Sequence, residues 1–350
     1  MSTLAPLLLE PQERELIWGG HALAERYGKN AAPDATIGES WECYDGNRIA
    51  SAPFAPATVA DLRATLGAAL MGAADASRAF PVLTKIIDAR APLSVQVHPD
   101  DAYAQRVEHQ PVGKTECWVI LEAEPGATIV LGWNRDTSRA EYLARVHDGS
   151  LGELLREVPA RAGDVFHLPA GMMHAIGAGI VLFETQQTSD LTYRIFDYNR
   201  LGPDGKPRLL HVDKAADVLD YRASTRGALA PLPYDQGGLA RTLLVADKHF
   251  TVERIALQTG AHAIDCDEMP LVIFALGRPV ELEARGATLR LAPYQSAIVP
   301  AALGSVMASG ADGDAAVLTA APPHDPYALD RRLDRAGVNV EARGTFLAQF

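Results

Sequence analysis

Cysteine is scarce: Cys43, Cys117 and Cys266 are the three in 350 residues, and no two form a C-x-x-C pair. Three scattered thiols exclude a disulfide framework and point to a reducing compartment. Long apolar runs are also missing. No stretch approaches the roughly 20 residues of a membrane helix. The start, Met1 to Glu10, has a short apolar run without the basic flank of a secretory signal. Basic residues are in deficit, 32 against 44 acidic, for a formal net charge of −12. Such a surface repels nucleic acid and anionic membranes, so neither is an expected partner. The expectation is a soluble cytoplasmic chain in which a few placed cations meet any anionic ligand. The sequence gives no signal for the oligomeric state.

What is present is apolar and strand-like. Hydrophobic residues make up 48% of the chain, enough for a large core, and the length fits two domains. Strand patterns run over Val82–Ile87, Leu93–Val97, Glu116–Leu121 and Thr128–Leu131, with a turn at Glu124–Gly126. Asp61–Met71 has helical spacing. A helix is expected after Ser138, an N-cap with Glu141 three residues on, and Glu153–Glu157 reads as a further helical turn. Strands return at Val165–Leu168, Ile180–Gln186 and Leu191–Phe196, and a short helix at Val212–Leu219. Pro231–Gly238 reads as loop and as a domain boundary. From Ala240 to Thr319 short strands follow at turn-separated intervals, as in a sandwich or barrel. A helix around Tyr327–Arg335 is expected in the tail.

Two strand-like segments carry chemistry. Leu93-Ser-Val-Gln-Val-His-Pro-Asp-Asp101 puts Gln96 and His98 two apart, on one strand face. Gly163-Asp-Val-Phe-His-Leu-Pro-Ala-Gly-Met-Met-His174 is a strand, a tight turn and a histidine. Between them, Gly113-Lys-Thr-Glu-Cys-Trp118 adds Glu116. A lone histidine is more often core or surface than ligand; here two such segments occur together. Gln96, His98, Glu116 and His174 form a candidate metal set of two imidazoles, one carboxylate and one carboxamide, with room for a substrate oxygen. His167, inside an apolar strand, reads as a core or supporting residue. An iron oxygenase would want two histidines, one carboxylate and open positions. The glutamine fills one of those positions and argues against it.

These segments resemble the cupin superfamily. Gly163–His174 matches its second motif, and Gln96-Val-His98 stands where its first usually has His-x-His. That alteration, with Trp18-Gly-Gly20, Gly38-Glu-Ser-Trp-Glu42, Gly113–Glu116 and Leu191–Tyr198, resembles the type I mannose-6-phosphate isomerases in their short bacterial form. The resemblance spans residues from about 10 to about 320. It implies a mainly β fold of two cupin jelly-roll domains, with a small helical insertion in the first. The expected division is a catalytic domain over 1–235, a β domain without metal over 236–325, and a tail over 326–350. It also implies one Zn2+ per chain on Gln96, His98, Glu116 and His174, a catalytic arginine at Arg194 and an active-site lysine at Lys114.

The implied reaction interconverts mannose 6-phosphate and fructose 6-phosphate through a cis-enediol. Negative charge develops on the carbonyl oxygen, and a proton moves between adjacent carbons. Lys114 is open to two roles, base or phosphate anchor. Arg194 is open to catalysis or to an ion pair with Asp190 or Asp197. Arg200 and Lys85 are weaker phosphate candidates. Glu39, Trp41 and Glu42 are either functional or part of a buried strand. The alternatives are a non-catalytic sugar-phosphate sensor and an isomerase of a different phosphorylated sugar.

Overall fold

Strands that read as continuous apolar runs become central because both of their faces are covered. In the computed structural model, which describes residues 4–30, 32, 35–202, 204–258, 260–322 and 326–350, every residue of Val82–Ala89 and of Ile180–Gln187 is buried. The apolar start at Met1–Thr3 and His324 lie outside the described residues. The two strands pair antiparallel in the middle of a six-stranded sheet, ordered Val165–Leu168, Glu116–Ala123, Ile180–Gln187, Val82–Ala89, Ile37–Cys43 and Gln12–Gly20. One face, with Ile87, Trp118 and Leu182, packs on Ile129, Leu131 and Ile176 of a five-stranded sheet. That sheet runs Tyr193–Phe196, Val95–Val97, His174–Ile176, Thr128–Trp133 and Leu155–Pro159.

The other face, with Ile86, Val119 and Phe183, packs on Val252, Val272, Phe274 and Leu318 of an eight-stranded sheet. Phe183 and Phe274 meet with ring centroids 4.7 Å apart. Beyond it, Ile255, Ile273 and Val317 pack on Leu282 and Val306 of a four-stranded sheet. Leu7–Glu10 joins the eight-stranded sheet beside Ser296–Val299, far from the strand that follows it in sequence. The fold is mainly β, as expected. None of the described helices is long and apolar enough to cross a membrane.

Helices cover the outside of the five-stranded sheet, where Tyr142, Ala215 and Leu219 pack on Val95 and Trp133. Ser138 caps Arg139–Asp148, accepting from the Glu141 N–H at 3.2 Å. Four sequence expectations change. The stretch Pro231–Gly238, read as loop, holds the strand Leu232–Gln236, which pairs with Leu239–Ala246 at the edge of the eight-stranded sheet. The helix over Asp61–Met71 breaks at Gly67 into Val59–Leu66 and Ala68–Met71. The helical turn expected at Glu153–Glu157 lies earlier, over Leu151–Leu154, and gives way to the strand Leu155–Pro159, because its neighbour Thr128–Trp133 offers a free edge that outweighs local preference. The tail holds a second helix, Val340–Leu347, with Asn339 accepting from the Ala342 N–H at 2.8 Å.

Strand alternation separates Glu42 from Glu39 and Trp41. Glu42 faces the central core, where it pairs with Lys29 at 2.8 Å, accepts from Ser40 Oγ at 2.6 Å and from Ser296 Oγ at 3.3 Å. Both ionic side chains are almost wholly buried. Removing one partner strands the other charge in a low dielectric, at a cost of about 3–5 kcal/mol. Glu42→Ala is therefore expected to lower unfolding stability by that amount in denaturant titration, with the kcat of the folded fraction unchanged. A large loss of kcat without loss of stability would move Glu42 into the site.

Candidate active site

Register places three of the candidate side chains abreast. His174 is the Cα partner of Gln96, and Gln96 is the partner of Arg194 on its other side. His98 extends just past the end of Val95–Val97. Glu116 comes from the opposite layer, first residue of its strand and fully buried. Gly171 shapes the turn that delivers His174. It sits at φ +84°, its N–H donates to the His98 carbonyl at 2.9 Å, and a Cβ would come 3.0 Å from the Val218 oxygen. Gly113 does the same for Lys114: a Cβ there would lie 2.3 Å from the Pro99 oxygen, which accepts from the Lys114 N–H at 3.0 Å.

His98, Glu116 and His174 bring their ligand atoms within 4.8 Å of one another. The Nδ1 of His98 faces the Leu191 carbonyl at 2.8 Å, and the Nδ1 of His174 faces the Met172 carbonyl at 2.8 Å. Each Nδ1 therefore carries the proton and each Nε2 a lone pair. Burial, helped by Lys114, pushes the His98 imidazole down to about 3, and burial lowers His174 as well, so both rings are neutral. Yet the two Nε2 atoms stand 3.1 Å apart, with Glu116 oxygens 3.2 Å from His174 and 3.5 Å from His98. Burial pushes the Glu116 carboxyl up, but Lys114 and the two histidines outweigh it and hold it well below the usual carboxylate range. Neither Glu116 oxygen has a well-directed hydrogen bond.

Lone pairs facing one another in this way need a cation among them. Two nitrogens at tetrahedral positions on an ion, each about 2.0–2.1 Å away, stand ~3.3 Å apart. The observed spacing is close to that. The Gln96 carboxamide lies 3.4 Å from His174 Nε2, and turning the amide over presents its oxygen. Two imidazoles, a carboxylate and a carboxamide suit a borderline divalent ion. Lys114 Nζ stands 2.7 Å from Glu116 Oε2 and 3.3 Å from His98 Nε2, over the ligands. It precedes the strand rather than lying on it.

Beside the cluster lies a cavity of about 230 Å³ that Gln96, Lys114 and Arg194 help to line. Among the described residues Arg194 forms no ion pair. Its Nε donates to Ser94 Oγ at 3.3 Å and its NH1 to the Leu209 carbonyl at 3.2 Å. Asp197, the expected structural partner, is instead held by Arg200 at 2.5 Å and Arg208 at 2.5 Å. Asp190 shares the cavity wall with Arg194 but makes no ion pair with it among the described residues. His167 meets Asp247 at 3.1 Å, away from the cavity.

Glu184 was not legible as a site residue. It accepts from Trp118 Nε1 at 3.0 Å and lies 3.3 Å from Lys85, which is itself 3.5 Å from Glu39. Glu39 accepts from Trp41 Nε1 at 2.7 Å, and Arg14 covers the Trp41 ring at 3.7 Å. Burial, then Glu116, raises the Glu184 carboxyl. For Lys85, burial pushes the ammonium down, but Glu39 and Glu184 outweigh it and raise it. A carboxylate inside the apolar run Ile180–Gln187 was the available signal for Glu184, since a buried charge needs a partner.

Residues 7–116 match the family model described as the phosphomannose isomerase type I catalytic domain. The mannose-6-phosphate isomerase of Streptococcus mutans is 39% identical over 251 residues, covering 71% of this chain and 77% of that protein. The mannose-6-phosphate isomerase ManA of Bacillus subtilis is 41% identical over 222 residues, covering 62% and 69%. The crystal structure of a Bacillus subtilis mannose 6-phosphate isomerase superposes with a TM-score of 0.82 at 30% identity, covering 90% of this chain and 99% of that one.

Proposed function

The chain belongs to the type I phosphomannose isomerases, and we propose that it interconverts mannose 6-phosphate and fructose 6-phosphate at the His98–Glu116–His174 centre, through a cis-enediol. The observation that carries this is the convergence of unprotonated ligand atoms beneath a cavity walled by Lys114 and Arg194. Gln96, His98, Glu116 and His174 would hold one zinc ion per chain, supplying Lewis-acid polarisation of a substrate oxygen.

The chain's own groups divide the remaining work. Lys114, closest to the ligands, is placed to carry the proton between carbons one and two. Its amine lies where the reacting end of a bound sugar must sit, rather than at the distant phosphate. Arg194 presents a planar guanidinium, fixed by Ser94 and the Leu209 carbonyl, to developing or fixed negative charge. The walls of Trp41 and Trp118 restrict water. The proposed division is a catalytic domain over 1–235, a second β domain over 236–325 and a tail over 326–350; Leu7–Glu10 crosses between the first two, and the strand Leu232–Gln236 at their boundary pairs with Leu239–Ala246 of the second.

Metal analysis should return about one zinc per chain. In a coupled assay, mannose 6-phosphate should turn over and free mannose far more slowly, because binding of the non-reacting phosphate is used to orient the reacting carbons. Equal kcat/KM for the two would remove the phosphate from the mechanism. No turnover of either by the zinc-loaded protein would favour a sugar-phosphate sensor.

A further inference from the structure

The carbonyl that holds His98 in place belongs to a loop, and that loop is itself held. Residues 188–192 cross from Ile180–Gln187 of the six-stranded sheet to Tyr193–Phe196 of the five-stranded one. Leu191 lies in this crossing, half-buried, next to the exposed Asp190. A backbone carbonyl in such a stretch needs other groups to keep it aimed at an imidazole. Gln186 supplies them. It is the cross-strand partner of Glu116, on the same face of the sheet, and it is fully buried.

Its side chain turns back over the loop. Nε2 donates to the Gln187 carbonyl at 2.9 Å and to the Ser189 carbonyl at 2.6 Å. The Ser189 N–H donates to the same Gln187 carbonyl at 2.7 Å. Ser189 Oγ then accepts from the Leu191 N–H at 3.3 Å, and the Leu191 carbonyl accepts from His98 Nδ1 at 2.8 Å. Both amide hydrogens of Gln186 thus meet carbonyls, which fixes the orientation of its carboxamide. The Oε1 end is buried without a donor. An unmet buried acceptor is destabilising, and an apolar side chain of the same length would avoid it. Packing alone therefore does not account for a glutamine here; its two donors act on the loop.

We propose that Gln186 is a positioning residue for the candidate metal centre. It holds the crossing loop so that the Leu191 carbonyl keeps the His98 proton on Nδ1 and turns the Nε2 lone pair toward Glu116 and His174. Without the amide, Ser189 and Leu191 are free to move. The His98 ring then loses the partner that sets its tautomer and orientation. Outer partners of this kind contribute about 10–100-fold to metal affinity. The zinc part of this inference rests on the centre proposed above; the tautomer part does not.

Gln186→Met keeps the side-chain length and removes both donors, and Ser189→Ala breaks the next link at a partly exposed residue. NMR of the full, metal-free chain with isotope-labelled histidine reads the His98 ring nitrogens, assigned by their absence in His98→Ala. Wild type should show the Nδ1–H tautomer alone, and both variants a mixture with Nε2–H. Zinc affinity against a competing chelator should fall about 10–100-fold in Gln186→Met. Ser189→Ala should lose less, and the double variant no more than Gln186→Met, since both act through Leu191. A lowered unfolding temperature with wild-type tautomer and zinc affinity would make Gln186 a strand cap only and overturn the proposal. If Gln186→Met fails to fold, Ser189→Ala decides, and an unchanged tautomer there overturns it. A wild type that binds no zinc sinks the centre, while the tautomer still decides for Gln186.

Discussion

His98→Ala is expected to lose bound metal and isomerase activity together, with kcat/KM falling by at least about 10³-fold. Metal polarisation of a reacting oxygen contributes several kcal/mol, and each ~1.4 kcal/mol is tenfold in rate. The Nδ1 of His98 is held by the Leu191 carbonyl alone, so alanine releases a single backbone acceptor. Its Nε2 lies 3.3 Å from Lys114 Nζ, while Gln96 is paired in register with Arg194 and Glu116 contacts Lys114. His174→Ala should behave in the same way. Metal content by mass spectrometry under native conditions separates ligand loss from unfolding, which circular dichroism follows. Full metal occupancy in both variants would mean that the centre lies elsewhere.

Arg194→Ala is expected to keep its metal and lose about 10²–10³ in kcat, the usual cost of removing one preorganised contact to transition-state charge. Burial lowers the Arg194 guanidinium, and Arg208 adds to this, but it remains a cation at any working pH. The effect therefore carries no pH signature of its own, and the split between kcat and KM is the informative reading. Normal kcat with a raised KM would assign Arg194 to substrate binding. Arg194→Lys tests the fork: a point charge should recover less than half of the lost free energy if bidentate geometry matters.

The sequence carried the candidate ligand set because strand alternation and a glycine turn are local. Gln96 and His98 two apart, and Gly171 before His174, can be read without knowing what lies opposite. Lys85, Glu39 and Glu184 could not be assembled that way. They come from three strands of one sheet, and only the register of Val82–Ala89 with Ile37–Cys43 and Ile180–Gln187 brings them side by side. The opposed fates of Glu39 and Glu42 follow from the same alternation, but which face pointed to the cavity depended on the second layer. Leu155–Pro159 failed for a related reason: its strand state is conferred by the free edge of Thr128–Trp133. The tail helix Val340–Leu347 was not read from the sequence, although Asn339, which accepts from the Ala342 N–H, was a local signal for its start.

The placement of Leu7–Glu10 has a consequence for the order in which this chain can be made. Leu7 pairs with Ile298, 291 positions later (298 − 7), so the ribosome releases the two partners far apart in time. At about 5–20 residues per second the interval is roughly 15–60 s. Throughout it, Leu7 and Leu8 belong to an apolar segment whose lateral neighbour does not yet exist, and only Leu9 and Glu10 have their pairing with Arg48–Ile49 within reach. Closure of the eight-stranded sheet is thus a late event, and the nascent chain must keep its first strand from pairing with other chains until then.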